Sequence, residues 1–255
     1  MTRQTRTEEQ IAGKGEEMDK PRVQRESLNG QAYVRLCRDL KAGRFEPGEK
    51  LKLRDLAAEM GISPTPVREA LARLISELAL EQVVHHSVRV PALSEERFCE
   101  IRYLRMTLEG EAAARAARNA TPEDIAALEA LHESMAARRE AGDHAGARLD
   151  MERFHMTLYR LARMPVLVHT IEGLWLQGGP LLEALDEHPT EKPRRQPPHL
   201  LVLSGLRRGD AELARRGIHD EVARTSVPIL AYLREQAARA AVPPLGARGA
   251  TRAVA

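Results

Sequence analysis

Apolar positions recur at helical spacing along most of this chain, and each break in the spacing marks an element. From Gln31 to Ala42, Ala32, Val34, Leu36, Cys37 and Leu40 are available to pack one side of a first helix, and Gly43-Arg44-Phe45-Glu46-Pro47-Gly48 reads as a turn. Arg54 to Met60 places Leu56, Ala57 and Met60 on one face, and Gly61 supplies the left-handed residue that ends a helix at little cost. A new helix follows, capped by Ser63 or Thr65, with Pro64 and Pro66 in a first turn where a missing N–H loses no intrahelical partner. Val67, Ala70, Leu71, Leu74 and Leu78 recur at helical spacing and predict an inward stripe, which leaves Thr65, Arg68, Glu69, Ala72 and Arg73 outside. Two helices joined by a tight glycine turn have the form of a helix-turn-helix. The extended runs 80–84 and 88–91 around His85-His86-Ser87 predict a small hairpin, which makes that motif a winged one.

From Ser94 onward the pattern is helical only. Ser94, Thr121-Pro122, Asp143, Pro165, Pro197-Pro198 and Asp210 punctuate six segments, near 94–118, 122–141, 144–162, 165–187, 197–207 and 210–236. Gly178-Gly179-Pro180 is expected to break the fourth, and Pro228 to kink the sixth. The expected fold is mainly α. A polar tail (1–24) precedes a winged helix-turn-helix domain with a small β-hairpin wing (25–92), an all-α helical-bundle domain (93–237) and a second disordered tail (238–255).

Composition narrows the class without deciding it. The 255 residues are 43% hydrophobic and 30% charged, which is ordinary for a globular chain, and 3% aromatic, which suits helices rich in Ala, Leu, Arg and Glu. No run approaches a membrane span and no hydrophobic leader opens the chain, so a cytoplasmic protein without membrane contact is expected. Cys37 and Cys99 lack CxxC spacing and suggest neither a disulfide framework nor a thiolate metal site. The net charge of +2 conceals a division. Residues 22–92 carry 12 Lys/Arg against 9 Asp/Glu, and residues 93–237 carry 20 against 23. A basic excess around one exposed helix fits contact with phosphate. The N-terminal part of the second helix of such a motif enters the major groove, where a guanidinium can hold a guanine edge, so Arg68 is the leading contact.

Gly43-Arg44-Phe45-Glu46-Pro47-Gly48-Glu49-Lys50-Leu51, Leu53-Arg54-Asp55-Leu56-Ala57 and Ser63-Pro64-Thr65-Pro66-Val67-Arg68-Glu69-Ala70-Leu71 together resemble the GntR family of bacterial transcription regulators. Arg105-Met106-Thr107-Leu108-Glu109-Gly110, Phe154-His155, and His199 with Gly209-Asp210 are similar to the all-helical FCD effector domain of its FadR-type branch. The likeness spans about residues 28–236 and implies a homodimer that binds a palindromic double-stranded DNA operator and lets go, or changes grip, when a small metabolite enters the helical domain. By the same resemblance the DNA contacts fall on Arg54, Ser63, Thr65, Arg68 and the wing tip, His86 and Ser87. Pro64 stands where many members have Arg, and Ser87 where the wing commonly turns on glycine, so the base preference is not transferable from relatives.

In the helical part, His155 shares a face with Met151, Leu158, Tyr159 and Ala162, and His199 with Leu203 and Leu206, so both point inward. Inward histidines on neighbouring bundle helices are hydrogen-bonded core residues or ligands of a divalent metal. The resemblance implies an acidic or amide ligand one turn before the first histidine and a third histidine on the last helix; this chain has Met151 and Glu221 there. The metal positions are then His155, His199 and Glu221, for zinc, manganese or nickel, with Met151 a poor ligand for such ions. Glu152 lies about 60° from the His155 face, and His219 is a second candidate. The resemblance also places Arg105 at the effector cavity. With His155 and His199 it is suited to clamp a carboxylate-bearing metabolite, while an Arg105–Glu109 pair at i, i+4 is the structural alternative. A DNA-binding repressor is the expected function. The competing class is a metal-dependent hydrolase using the His/Glu cluster, which lacks a general base near an open site.

Overall fold

In the computed structural model, residues 27–83, 87–179 and 198–241 are described. His86 of the expected wing tip, the tails 1–24 and 242–255, and the 180–187 end of the fourth expected helix lie outside those residues. The fold is mainly α, with a winged helix-turn-helix followed by a helical bundle.

Ser27 starts the first helix, α1 (Leu28–Lys41), earlier than the apolar spacing predicts, because its hydroxyl accepts the Gly30 N–H. Leu36 and Leu40 face the core, whereas Val34, expected to pack, is 57% exposed. A short strand, β1 (Lys50–Leu51), leads into α2 (Leu53–Met60), which ends on Gly61 at φ 66. That left-handed turn accepts a residue without Cβ at no strain. Ser63, in extended backbone, occupies the N-cap position of α3 (Pro64–Ser76), though its side chain makes no capping bond. Val67, Ala70, Leu71 and Leu74 are buried as the stripe requires.

Leu78 departs from that stripe. The helix stops at Ser76, Leu78 turns left-handed at φ 59, and its side chain is 61% exposed. Ala79 and Leu80 take the buried positions instead, at 1% and 2%. Two strands follow, β2 (Glu81–Val83) and β3 (Ser87–Arg89). β3 lies between β1 and β2, antiparallel to both, with Val88 opposite Leu51 and Gln82. The wing is therefore a three-stranded sheet, not an isolated hairpin; Lys50-Leu51 is too short a run to announce a strand by alternation.

The helical part consists of α4 (Glu95–Asn119), α5 (Pro122–Glu140), α6 (His144–Arg160), α7 (Pro165–Gly178), α8 (Pro198–Arg208) and α9 (Ala211–Ala241). Ser94 caps α4, Asp143 caps α6, and Thr121 with Asp124 forms a capping box at α5. Ala112, Ala113, Ala116 and Ala117 give α4 a flat face, and α9 lies along it with Ala214, Ile218 and Val222 in the same core. The last helix continues past the expected end at 236 to Ala241, and runs through Pro228. Ala237, Ala238, Ala240 and Ala241 are strong helix formers, and Pro243 is the first residue with power to stop them. Residues 238–241, expected in the tail, are helical instead.

Several contacts join the parts among the described residues, two of them through α7. Leu176 of α7 is buried in the core of the winged helix, with Leu36, Leu40 and Leu80. Gly179 lies so close to α1 that a Cβ there would meet the Leu40 carbonyl oxygen at 2.4 Å. Only glycine permits that approach.

Candidate functional site

The face expected to meet DNA is built on α2 and α3. Arg54, Ser63, Thr65 and Arg68 are all exposed. Among the described residues neither Arg54 nor Arg68 is engaged in an ion pair, so both guanidinium groups stand open to a polyanion. Their neighbours are not so placed: Arg73 bonds Glu77 at 2.9 Å and stacks over the Tyr33 ring at 3.6 Å, and Glu69 accepts from Asn29 at 2.8 Å. Ser87 begins β3, opposite Val83.

The second site lies inside the bundle, where three helices deliver His155, His199 and Glu221 to one point, their ligand atoms within 4.8 Å of one another. His155 Nε2 is 3.1 Å from Glu221 Oε2, and His199 Nε2 is 2.9 Å from Glu221 Oε1. Met151, one turn before His155, contributes its backbone: the carbonyl accepts the His155 Nδ1–H at 2.8 Å. That bond fixes the ring and leaves Nε2 as the atom presented to the cluster. Glu221 Oε2 is buried and out of hydrogen-bond alignment, an acceptor not fully spent. Two imidazole nitrogens and such a carboxylate are a donor set that fits a borderline divalent ion.

The other nearby candidates turn elsewhere. Glu152 binds Lys41 of α1 at 2.8 Å. Asp150 is buried and held by Ser134 and Arg138. His219 approaches the Met106 carbonyl on α4 at 2.9 Å, away from the cluster.

Burial alone would push the His155 imidazolium down, but the Glu221 carboxylate outweighs it and raises its pKa above the ordinary value. Burial would likewise raise the Glu221 carboxyl, yet the charges of His155 and His199 hold it well below the usual carboxylate range. The trio therefore favours a charged carboxylate facing a bound cation or proton.

A cavity of ≈ 380 Å³ opens beside the cluster, lined by Arg105, Glu109, His155, Trp175 and Glu221 among others. Arg105 faces it while paired to Glu109 at 2.6 Å, so the cavity position and the helical ion pair coexist. Glu109, only 1% exposed, also accepts from the Tyr159 hydroxyl at 2.6 Å and the Trp175 indole at 3.0 Å. These three helices' worth of donors explain how a charged group survives in the core. Sequence spacing shows Arg105–Glu109 alone; the donors from α6 and α7 are far away along the chain.

His132 was also missed. Its ring meets that of His199 edge-on at 5.5 Å, and its Nδ1 is buried without a partner. Burial and the neighbouring His199 lower its pKa. Its place between Leu128 and Met135, both buried, was the available signal.

Comparison with known proteins fits this division. Residues 28–90 match the model of bacterial regulatory proteins of the gntR family, and residues 100–223 that of the FCD domain. The chain is 34% identical to the HTH-type transcriptional regulator McbR of Escherichia coli (strain K12), over 80% of this chain and 93% of that protein. It is 28% identical to a probable D-xylose utilization operon transcriptional repressor of Paenarthrobacter nicotinovorans, over 79% of this chain and 88% of the other. The solved structure of E. coli McbR/YncC superposes with a TM-score of 0.74 at 33% identity, covering 82% of this chain and 99% of that one. A GntR regulator from Rhodococcus sp. RHA1 shares the fold, with a TM-score of 0.64 at 20% identity and coverage of 80% and 97%.

Proposed function

The chain belongs to the GntR family of bacterial regulatory proteins and carries an FCD domain, and from that premise we propose a repressor that grips a palindromic operator as a homodimer and releases it when an organic acid enters the helical domain. That it is a DNA-binding transcription regulator, not an enzyme, follows from the family and from its named relatives. The hydrolase alternative is set aside on that ground. Among the described residues no helix is long and apolar enough to cross a membrane.

The reading half of this proposal assigns Arg68 to a base edge, Arg54 to phosphate, and Ser63, Thr65 and Ser87 to positioning on the backbone. The exposed, unpaired state of Arg54 and Arg68 supports it. The sensing half is carried by one observation: the ≈ 380 Å³ cavity has Arg105, His155 and Glu221 converging on its wall. That volume suits a small metabolite held by a few placed polar groups. A metal would be held by His155, His199 and Glu221. When bound it supplies a Lewis-acid point for a ligand carboxylate, while Arg105 neutralises the anion and Trp175 covers it.

Selection of bound fragments from the parent genome, followed by anisotropy titration in the presence of candidate organic acids, tests the whole reading. Salt-sensitive, sequence-specific binding relieved by one acid is the expected result. DNA binding that no acid relieves would remove the sensing half. Elemental analysis tests the metal: near-stoichiometric divalent ion in the native protein, lost in His199→Ala, is expected, and metal-free native protein after loading would overturn it.

A further inference from the structure

The cavity is not closed by the helical domain alone. Its outer rim includes Arg38, Lys41 and Ala42 from the end of α1, which belongs to the winged helix, opposite Arg148 and Glu152 of α6. Three cations, Arg38, Lys41 and Arg148, share that rim with the single carboxylate of Glu152. Lys41 bonds Glu152 at 2.8 Å, with side chains 19% and 27% exposed. Arg38 makes only a 3.4 Å contact with Asp39, whose other oxygen is already held by Arg44 at 2.8 Å. The lining also includes the buried apolar side chains of Phe98, Ile101, Ile218, Val222 and Ile229.

The geometry points to Lys41 as an effector-binding residue contributed by the DNA-reading domain, and to an effector that carries a second anionic group at the far end of an apolar body. Resting on the reading of the cavity as the effector site, this inference adds the rim to it. One carboxylate of the ligand occupies the floor beside Arg105 and His155. The second displaces Glu152 from Lys41, a like-for-like exchange of acceptors that conserves the charge-assisted hydrogen bond. Arg38, exposed and lining the same cavity, adds positive charge to that end. Lys41 is held in position for this, since its own Cα and the carbonyl of the preceding Leu40 lie against Gly179. Such a ligand touches both domains at once, and binds best in the arrangement of the reader that brings Lys41 over the cavity.

Calorimetric titration of the full chain with linear dicarboxylates from succinate to suberate, each beside the monocarboxylate of equal length, tests the inference. One length is expected to bind about tenfold more tightly than its monocarboxylate, because Glu152 regains water when the second anion takes its place on Lys41. Lys41→Met should erase that gain and leave monocarboxylate affinity unchanged, whereas Glu152→Gln, which removes the competing acceptor, should enlarge it. Phosphonocarboxylates of the same lengths distinguish a phosphate from a carboxylate as the second anion. A gain that survives in Lys41→Met, or a native protein indifferent to the second anion at every length, overturns the proposal. Arg105→Gln separates this from the underlying reading: if it leaves both classes unaffected while Lys41→Met still erases the gain, the floor assignment fails and the rim assignment stands.

Discussion

The two halves of this molecule keep their charged groups in opposite places. In the winged helix the core is apolar, Arg54 and Arg68, proposed to read DNA, lie on the surface, and among the described residues Asp39 is the one buried carboxylate, tied to Arg35 and Arg44. In the bundle Glu109, Asp150, His155 and His199 are all buried. A surface that meets a polyanion needs exposed cations and a rigid base. A site that meets a small molecule needs polar groups held out of water, and each must be partnered to exist there. The lesson is that reader and sensor should fail differently when damaged.

The largest effect is expected from Glu109→Ala. It strands Arg105, which is 24% exposed, together with the Tyr159 hydroxyl and the Trp175 N–H. Urea unfolding should report a loss of about 3 kcal/mol, the lower part of the range for breaking a buried ion pair; an unchanged midpoint would mean the sensor's polar core is not structural. Next comes Leu36→Ala in the fully buried core of the reader, where the cavity left behind should cost about 2 to 3 kcal/mol. An unchanged midpoint in Leu36→Ala would mean that the reader's apolar core does not carry its stability. Arg68→Ala should weaken specific operator binding by about 1 to 3 kcal/mol and leave the unfolding midpoint in place, because an exposed, unpaired side chain has no partner to strand. A drop in stability without a drop in affinity would put Arg68 outside the reading set. Thr121→Ala removes one capping bond and should cost about 1 kcal/mol, visible by thermal unfolding alone.

The same contrast explains what could be read from the chain. Gly61, the prolines of α3 and the Val67–Leu74 stripe are local signals, each acting within a turn or two, and the helix-turn-helix followed from them. Leu78 obeyed the spacing yet left the core, since periodicity cannot register that the helix has already ended at Ser76. In the sensor, helical faces placed His155 and His199 inward, and the expected register brought Glu221 to them. What spacing could not supply were partners on other elements. Tyr159 and Trp175 reach Glu109 across 50 and 66 residues, and Lys41 reaches Glu152 across 111. Such pairs are fixed by packing, and no local pattern records them.

Leu176 carries a consequence for how the two halves can be separated. Because α7 lends this side chain, 3% exposed, to the core of the winged helix, a cut in the chain between β3 and α4 would not yield a finished module. The excised reader would display a hydrophobic socket where Leu176 had been, and a chimera pairing it with a sensor from a relative would inherit whatever side chain that relative's α7 presents. Modularity here follows the three-dimensional seam, so a transplant of the reader has to bring α7's contact residue with it or refill the socket.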